Sequence, residues 1–177
     1  YNILNKTMNI IKKIILLLFV LNCILLSAQD VNISKGNLFD GEPYLSINPS
    51  NSKHIVVAWM GYVPLNYIAI KTRVSFNGGL SWSSTVNIPH AYSKLGTSGA
   101  DPSIEFDDKG NVFLCYIDYN KSIDSGTVFV RKSTDGGLSW NSPVEVINAQ
   151  SDLGKYPVDR PWMVIDRSNS ANKGNIY

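Results

Sequence analysis

Ser133-Thr-Asp-Gly-Gly-Leu-Ser-Trp140 repeats, almost letter for letter, the earlier stretch Ser75-Phe-Asn-Gly-Gly-Leu-Ser-Trp82. The two begin 58 residues apart. Upstream of each lies a second mark. Glu42-Pro43-Tyr-Leu-Ser-Ile47 parallels Asp101-Pro102-Ser-Ile-Glu-Phe106, and Arg160-Pro161-Trp-Met-Val-Ile165 makes a third copy, with the prolines 59 residues apart each time. Apolar runs sit between the marks: His54-Ile-Val-Val-Ala-Trp59, then Asn111-Val-Phe-Leu-Cys-Tyr116, then the start of a third at Asn175-Ile-Tyr177. A fixed period of this length signals an array of supersecondary units.

Each unit reads as four short strands. In the second unit the runs are Ser103–Phe106, Asn111–Asp118, Thr127–Ser133 and Val144–Ile147. Asp107-Asp-Lys-Gly110 turns the chain between the first two, with Gly110 supplying a positive φ. Asp135-Gly-Gly137 does so between the last two. No segment after residue 29 carries a 3.6-residue apolar period. The expected class is all-β, and four-stranded antiparallel units in tandem are the mark of a β-propeller. The units span approximately 40–98, 99–157 and 158–177, the last truncated. About two and a half blades are therefore expected here.

Ser-x-Asp-x-Gly-x-x-Trp is the Asp-box, or bacterial neuraminidase repeat. Ser133, Asp135, Gly137 and Trp140 match it in full, and Ser75, Asn77, Gly79 and Trp82 match with Asn for Asp. The chain thus resembles the sialidase superfamily over residues 40–177, as an N-terminal part. The resemblance implies a six-bladed propeller and exo-α-sialidase-type retaining glycoside hydrolysis, with no cofactor. It places the box turns on the blade periphery, where their residues are structural. A turn carboxylate or amide accepts backbone N–H groups, glycines take conformations closed to other residues, and the tryptophans are expected in the core.

In a propeller the functional face lies where the last strand of one blade crosses to the innermost strand of the next. Glu42, Asp101 and Arg160 occupy that crossing, with Asp159 beside Arg160. Rotation between blades would ring them around one channel mouth, suited to a polar ligand. Asp101 is the candidate acid, and Arg160, Asp159 and Glu42 are candidate substrate-binding residues. The same Glu-Pro and Asp-Pro pairs also suit plain strand starts, where proline is tolerated. The family holds its substrate carboxylate with three arginines, by bidentate forks. This sequence has four, Arg73, Arg131, Arg160 and Arg167, and lacks an Arg-Ile-Pro near the first strand. Arg73 and Arg131 sit two residues before the box serines and read as repeat structure. That departure supports an alternative: a non-catalytic extracellular Asp-box propeller that binds glycan or protein.

Other features point away from other chemistries. The loop Met60-Gly-Tyr-Val-Pro-Leu-Asn-Tyr67 is expected on the face of Glu42, where Tyr62 and Tyr67 read as packing against a neighbouring blade in preference to stacking on a sugar. His54 and His90 have no His or Cys partner at metal spacing, so no zinc site is expected. Asp107, Asp108, Asp118 and Asp124 read as solvated turn acids rather than a calcium loop. There is no phosphate-binding glycine loop and no nucleophile elbow.

The first 29 residues read as an address. Lys12 and Lys13 precede the apolar run Ile14–Leu26, and Ser27-Ala28-Gln29 follows, in the order of a secretory signal peptide starting at Met8. Tyr1–Thr7 read as upstream read-through. The expected location is secreted, extracellular or periplasmic, with no membrane contact after cleavage. Cys23 belongs to the apolar run, leaving Cys115 as the mature chain's single thiol. The leader holds three of the 16 Lys and Arg and none of the 14 Asp and Glu, so residues 30–177 carry 13 against 14, a net of −1. Such a balance gives no footprint for nucleic acid. The expected partner is a glycan or glycoprotein, and the oligomeric state is left open.

Overall fold

The computed structural model describes residues 2–25, 30–36, 38–64, 68–91, 97–119, 126–149 and 157–177. It divides into two units, Tyr1–Ile33 and Ser34–Tyr177. The first holds one helix, α1 (Asn2–Leu25). Among the described residues, no helix is long and apolar enough to cross a membrane.

The second unit is all-β. Strands β1 (Asp40–Ile47), β2 (Ile55–Tyr62), β3 (Ile68–Ser75) and β4 (Val86–Asn87) form one antiparallel sheet in chain order. Strands β5 (Ser98–Phe106), β6 (Val112–Tyr119), β7 (Gly126–Ser133) and β8 (Val144–Asn148) form a second with the same order. A third copy begins beyond them: Ile165 bridges Ile176, and Val164 and Tyr177 exchange backbone hydrogen bonds at 2.9 Å. The strand ends differ from the sequence reading in two places of interest. β5 begins at Ser98 rather than Ser103, so Asp101, like Glu42 in β1, lies within a strand and not at a crossing before it. Met60, Gly61 and Tyr62 continue β2 rather than opening a loop, because they pair with Ile70, Ala69 and Ile68. Tyr67 lies outside the described residues.

The main core lies between the two sheets. Val56, Ala58, Ile70, Val74 and Ile88 from the first meet Ile104, Phe106, Leu114, Tyr116 and Phe129 from the second. Strand β6 is apolar almost throughout because both of its faces are buried. Leu114 and Tyr116 face the first sheet, while Cys115 and Ile117 join Val128 and Met163 behind it. Burial pushes the Cys115 thiol up to about 11, so it stays protonated and packs as a small apolar group.

The box turns close both sheets and clasp them together. Ser133 Oγ accepts the Gly137 N–H at 2.8 Å and donates to Asp135, which also accepts the Leu138 and Ser139 N–H groups at 3.1 and 2.9 Å. Asn77 repeats this with its amide oxygen, and its Nδ2 donates to Ser81 Oγ, where Asp135 instead accepts from Ser139 Oγ. Gly137 sits at φ 99°, and a Cβ there would lie 3.0 Å from Val56 across the interface. The neighbouring Gly136 carbonyl accepts from His54 Nε2 at 2.8 Å, while His54 Nδ1 meets Asn48 Nδ2 at 3.1 Å. His54 is thus a buried inter-sheet tie. Trp140 donates to Thr72 Oγ1 of the first sheet at 3.2 Å. Trp82 and Trp140 are both half-buried, and Trp140 packs against the main core.

Partial burial raises the Asp135 carboxyl, but the hydrogen bonds from Ser139, Ser133 and Leu138 outweigh it and hold the group down to about 2. A carboxylate lowered on folding stabilises the fold above its unfolded value of about 4, and that contribution is lost as pH falls through the folded value. Asp135→Ala is expected to cost about 1–2 kcal/mol at neutral pH. Asp135→Asn should cost less, since Asn77 shows that an amide fits, and should flatten the fall in melting temperature between about pH 4 and 2. Melting curves across that range check both.

The far side of the second sheet is open. Ile88 is buried under the second sheet, while its counterpart 58 residues on, Val146, is 62% exposed. Val128, Val130 and Val146 line an apolar groove of about 860 Å³ with the 157–177 segment.

Candidate functional site

The repeated prolines shape the site. Proline has no N–H for the ladder, so each disturbs the strand that carries it. The β1–β2 register shifts between Gly41 and Tyr44, and the β5–β6 register between Ala100 and Ser103. The residue before each proline is left-handed: Glu42 and Asp101 within these bulges, at φ 50° and 51°, and Arg160, outside any strand, at 45°. Such a backbone costs a residue with a Cβ on the order of 1 kcal/mol or more, and glycine would adopt it without strain. Three polar side chains at a 59-residue spacing hold it instead.

They converge. Arg160 pairs with Glu42 at 3.6 Å, and its backbone N–H donates to Asp101 Oδ2 at 3.4 Å. All three line a cavity of about 210 Å³ with Pro43, Pro102, Pro161, Tyr44, Ser103 and Trp162. Burial raises the Asp101 carboxyl. The hydrogen bond from the Arg160 N–H opposes this, while the charges of Asp159 and Glu42 add to the rise. Asp159 lines the apolar groove rather than the small cavity, so it reaches the rim through its field. Tyr119, itself raised by burial and by Asp159 and Asp101, donates to the Val158 carbonyl at 2.7 Å and pins the approach to Asp159. The arrangement favours a proton on Asp101 more than water does, offers carboxylate acceptors to hydroxyl groups and presents one guanidinium.

The remaining arginines stay away from the rim. Arg131 is buried, donating to Tyr116 Oη, the Asn141 carbonyl and the Pro89 carbonyl at 2.9, 2.9 and 2.8 Å. Arg73 donates to Thr85 Oγ1, and Arg167 pairs with Glu105. Tyr62 is exposed at the end of β2.

Two features were missed from sequence. Trp162, with Tyr44 edge-on to it at 6.0 Å, stands on the rim. Its signal was available: an aromatic occupies the second position after Glu42 and after Arg160, with Ser103 as the middle copy. Asp118 is not a solvated turn acid. It is fully buried in β6 and accepts from His90 Nδ1 and the Ala91 N–H, both at 2.6 Å, fastening the β4–β5 connection. Asp107 caps its turn through the Lys109 and Asn111 N–H groups, and Asp108 pairs with Lys173. Asp124 lies outside the described residues. Among the described residues no group of three His, Cys, Asp or Glu is placed to hold a metal ion.

No family model matches the chain, and no curated protein matches it. Among solved structures the chain is similar to a Hadza microbial sialidase, Hz136. The TM-score is 0.45 at 14% identity, over 62% of this chain and 25% of that one. The chain thus spans about a quarter of that structure's length.

Proposed function

We propose that the chain belongs to a secreted, sialidase-like Asp-box propeller that hydrolyses glycans at the Glu42–Asp101–Arg160 rim. The observation that carries this reading is the convergence of three repeat-equivalent polar residues, each held in a backbone glycine would fill more cheaply. In this reading Asp101 gives its proton to the leaving glycosidic oxygen as that oxygen's bond to the anomeric carbon breaks, and water adds to the carbon and returns a proton to Asp101. Its carboxyl is raised, the direction that general-acid work requires. Glu42, Asp159 and Arg160 hold sugar hydroxyls. The open groove on the second sheet supports the propeller part of the proposal, because its residues are repeat counterparts of residues that the second sheet covers on the first.

A second reading, a binding propeller without catalysis, rests on the arginines. Arg131, Arg73 and Arg167 are engaged elsewhere, and Arg160 faces Glu42. Incubating the full chain with a panel of fluorogenic glycosides separates the two. Steady fluorophore release is expected. Binding without release would replace the first reading by the second.

A further inference from the structure

Trp162 is 79% exposed, although it sits between two fixed points. Pro161 restricts the backbone before it, and the Met163 N–H after it donates to Ser103 Oγ at 3.2 Å. Tyr44 braces the indole edge-on, with the rings at 86°. An exposed indole on a backbone fixed at both sides, where the small cavity meets the open groove and beside hydroxyl acceptors, is a stacking surface for a sugar face.

The charges around it select against one class of sugar. Glu42 and Asp101 share the cavity with a single guanidinium, which pairs with Glu42 at 3.6 Å, and Asp159 adds its charge from the groove beside it. An incoming carboxylate would have to share this guanidinium with the Glu42 charge and lie beside Asp101. The upward push of Asp159 and Glu42 on Asp101 reports that the rim field already disfavours negative charge. Carboxylates accept neutral hydroxyls well, and like charges brought together reject.

We propose that this rim recognises an uncharged pyranose, its C–H face stacked on Trp162 and its hydroxyls donating to Glu42 and Asp101, and that it discriminates against acidic sugars. The proposal rests on the reading of the rim as a glycan site. Arg160 then acts as a clamp that keeps Glu42 in place rather than as a carboxylate receptor.

The probes are methyl β-D-galactopyranoside and methyl N-acetyl-β-D-glucosaminide against methyl α-N-acetylneuraminide. Saturation-transfer NMR titration on the full chain reads their affinities. At least one neutral glycoside is expected to bind tenfold or more tightly than the neuraminide. Trp162→Ala should lose that binding about tenfold, and Trp162→Phe should keep most of it, which guards against a folding artefact. Glu42→Gln frees Arg160 and removes a repulsive charge, so it should raise neuraminide affinity severalfold. Tighter binding of the neuraminide by the unsubstituted chain would overturn the proposal and leave the glycan-site reading standing. Binding of none of the three would remove both. Undiminished neutral-sugar binding by Trp162→Ala would overturn the platform.

Discussion

Asp101→Asn is expected to lower glycoside hydrolysis by about 10²–10⁴-fold, the range supplied by a positioned general acid, while leaving the fold at least as stable. The two effects separate because Asp101 works against its surroundings. Burial and the neighbouring acids raise its carboxyl, with the Arg160 N–H opposing. A carboxyl raised on folding favours the fold fully below its unfolded value, and that favour is lost as pH climbs through the folded value. Wherever the group is ionised its charge therefore weighs against folding, and an amide removes the charge. Asp101→Gly carries the logic further. It relieves the strained backbone at φ 51° and should hold or raise the melting temperature, while abolishing hydrolysis as fully as the amide does. Glu42→Gly, at φ 50°, should also keep its melting temperature and lose sugar binding. Initial rates and thermal melts on the three variants test the pairing. A clear drop in melting temperature for the glycine variants would mean that these side chains are there for the fold, and the site reading would go with it.

The larger stability effect belongs to Arg131. Its three hydrogen bonds join β7 to β6, to the segment after the second box turn and to the chain leaving β4. Arg131→Met keeps apolar volume but strips the partners at Pro89 and Asn141 and leaves the Tyr116 hydroxyl short of a donor. The expected cost is about 3 kcal/mol, or roughly 10 °C in melting temperature for a unit of this size. Arg131→Lys should recover little, because one ammonium cannot reach three divergent acceptors. The exposed Asp108–Lys173 pair makes a useful contrast. Lys173→Ala should leave the melting temperature unchanged within error. A melt of Arg131→Met that matches the parent would show that the sheets do not depend on this tie.

What the sequence made legible was equivalence. Repeated Pro, Gly and Trp marks placed the strands of the second sheet close to where they lie, because turns and strand starts are set by local backbone chemistry. They also picked out Glu42, Asp101 and Arg160 as one set. What stayed hidden depends on how the two sheets meet. The partner of His54 is Gly136, and the partner of Asp118 is His90. Neither pairing leaves a local trace, so His54 read as isolated and Asp118 as a solvated acid. The left-handed conformations were hidden too, since a Glu or Asp before proline is ordinarily extended. Trp162 went unread because a tryptophan inside a repeat suggests packing, and only its exposure shows otherwise.

The bond from Trp140 to Thr72 spans 68 residues, and it has a consequence for how the chain is made. The first sheet can pair its strands as soon as they leave the ribosome. Its inner face has no cover until the second sheet and the second box turn arrive. At about 5–20 residues per second, the wait between Thr72 and Trp140 is roughly 3–14 s. Throughout it, Val56, Ala58 and Ile70 face solvent or whatever is nearby. A holding chaperone would matter most in that interval.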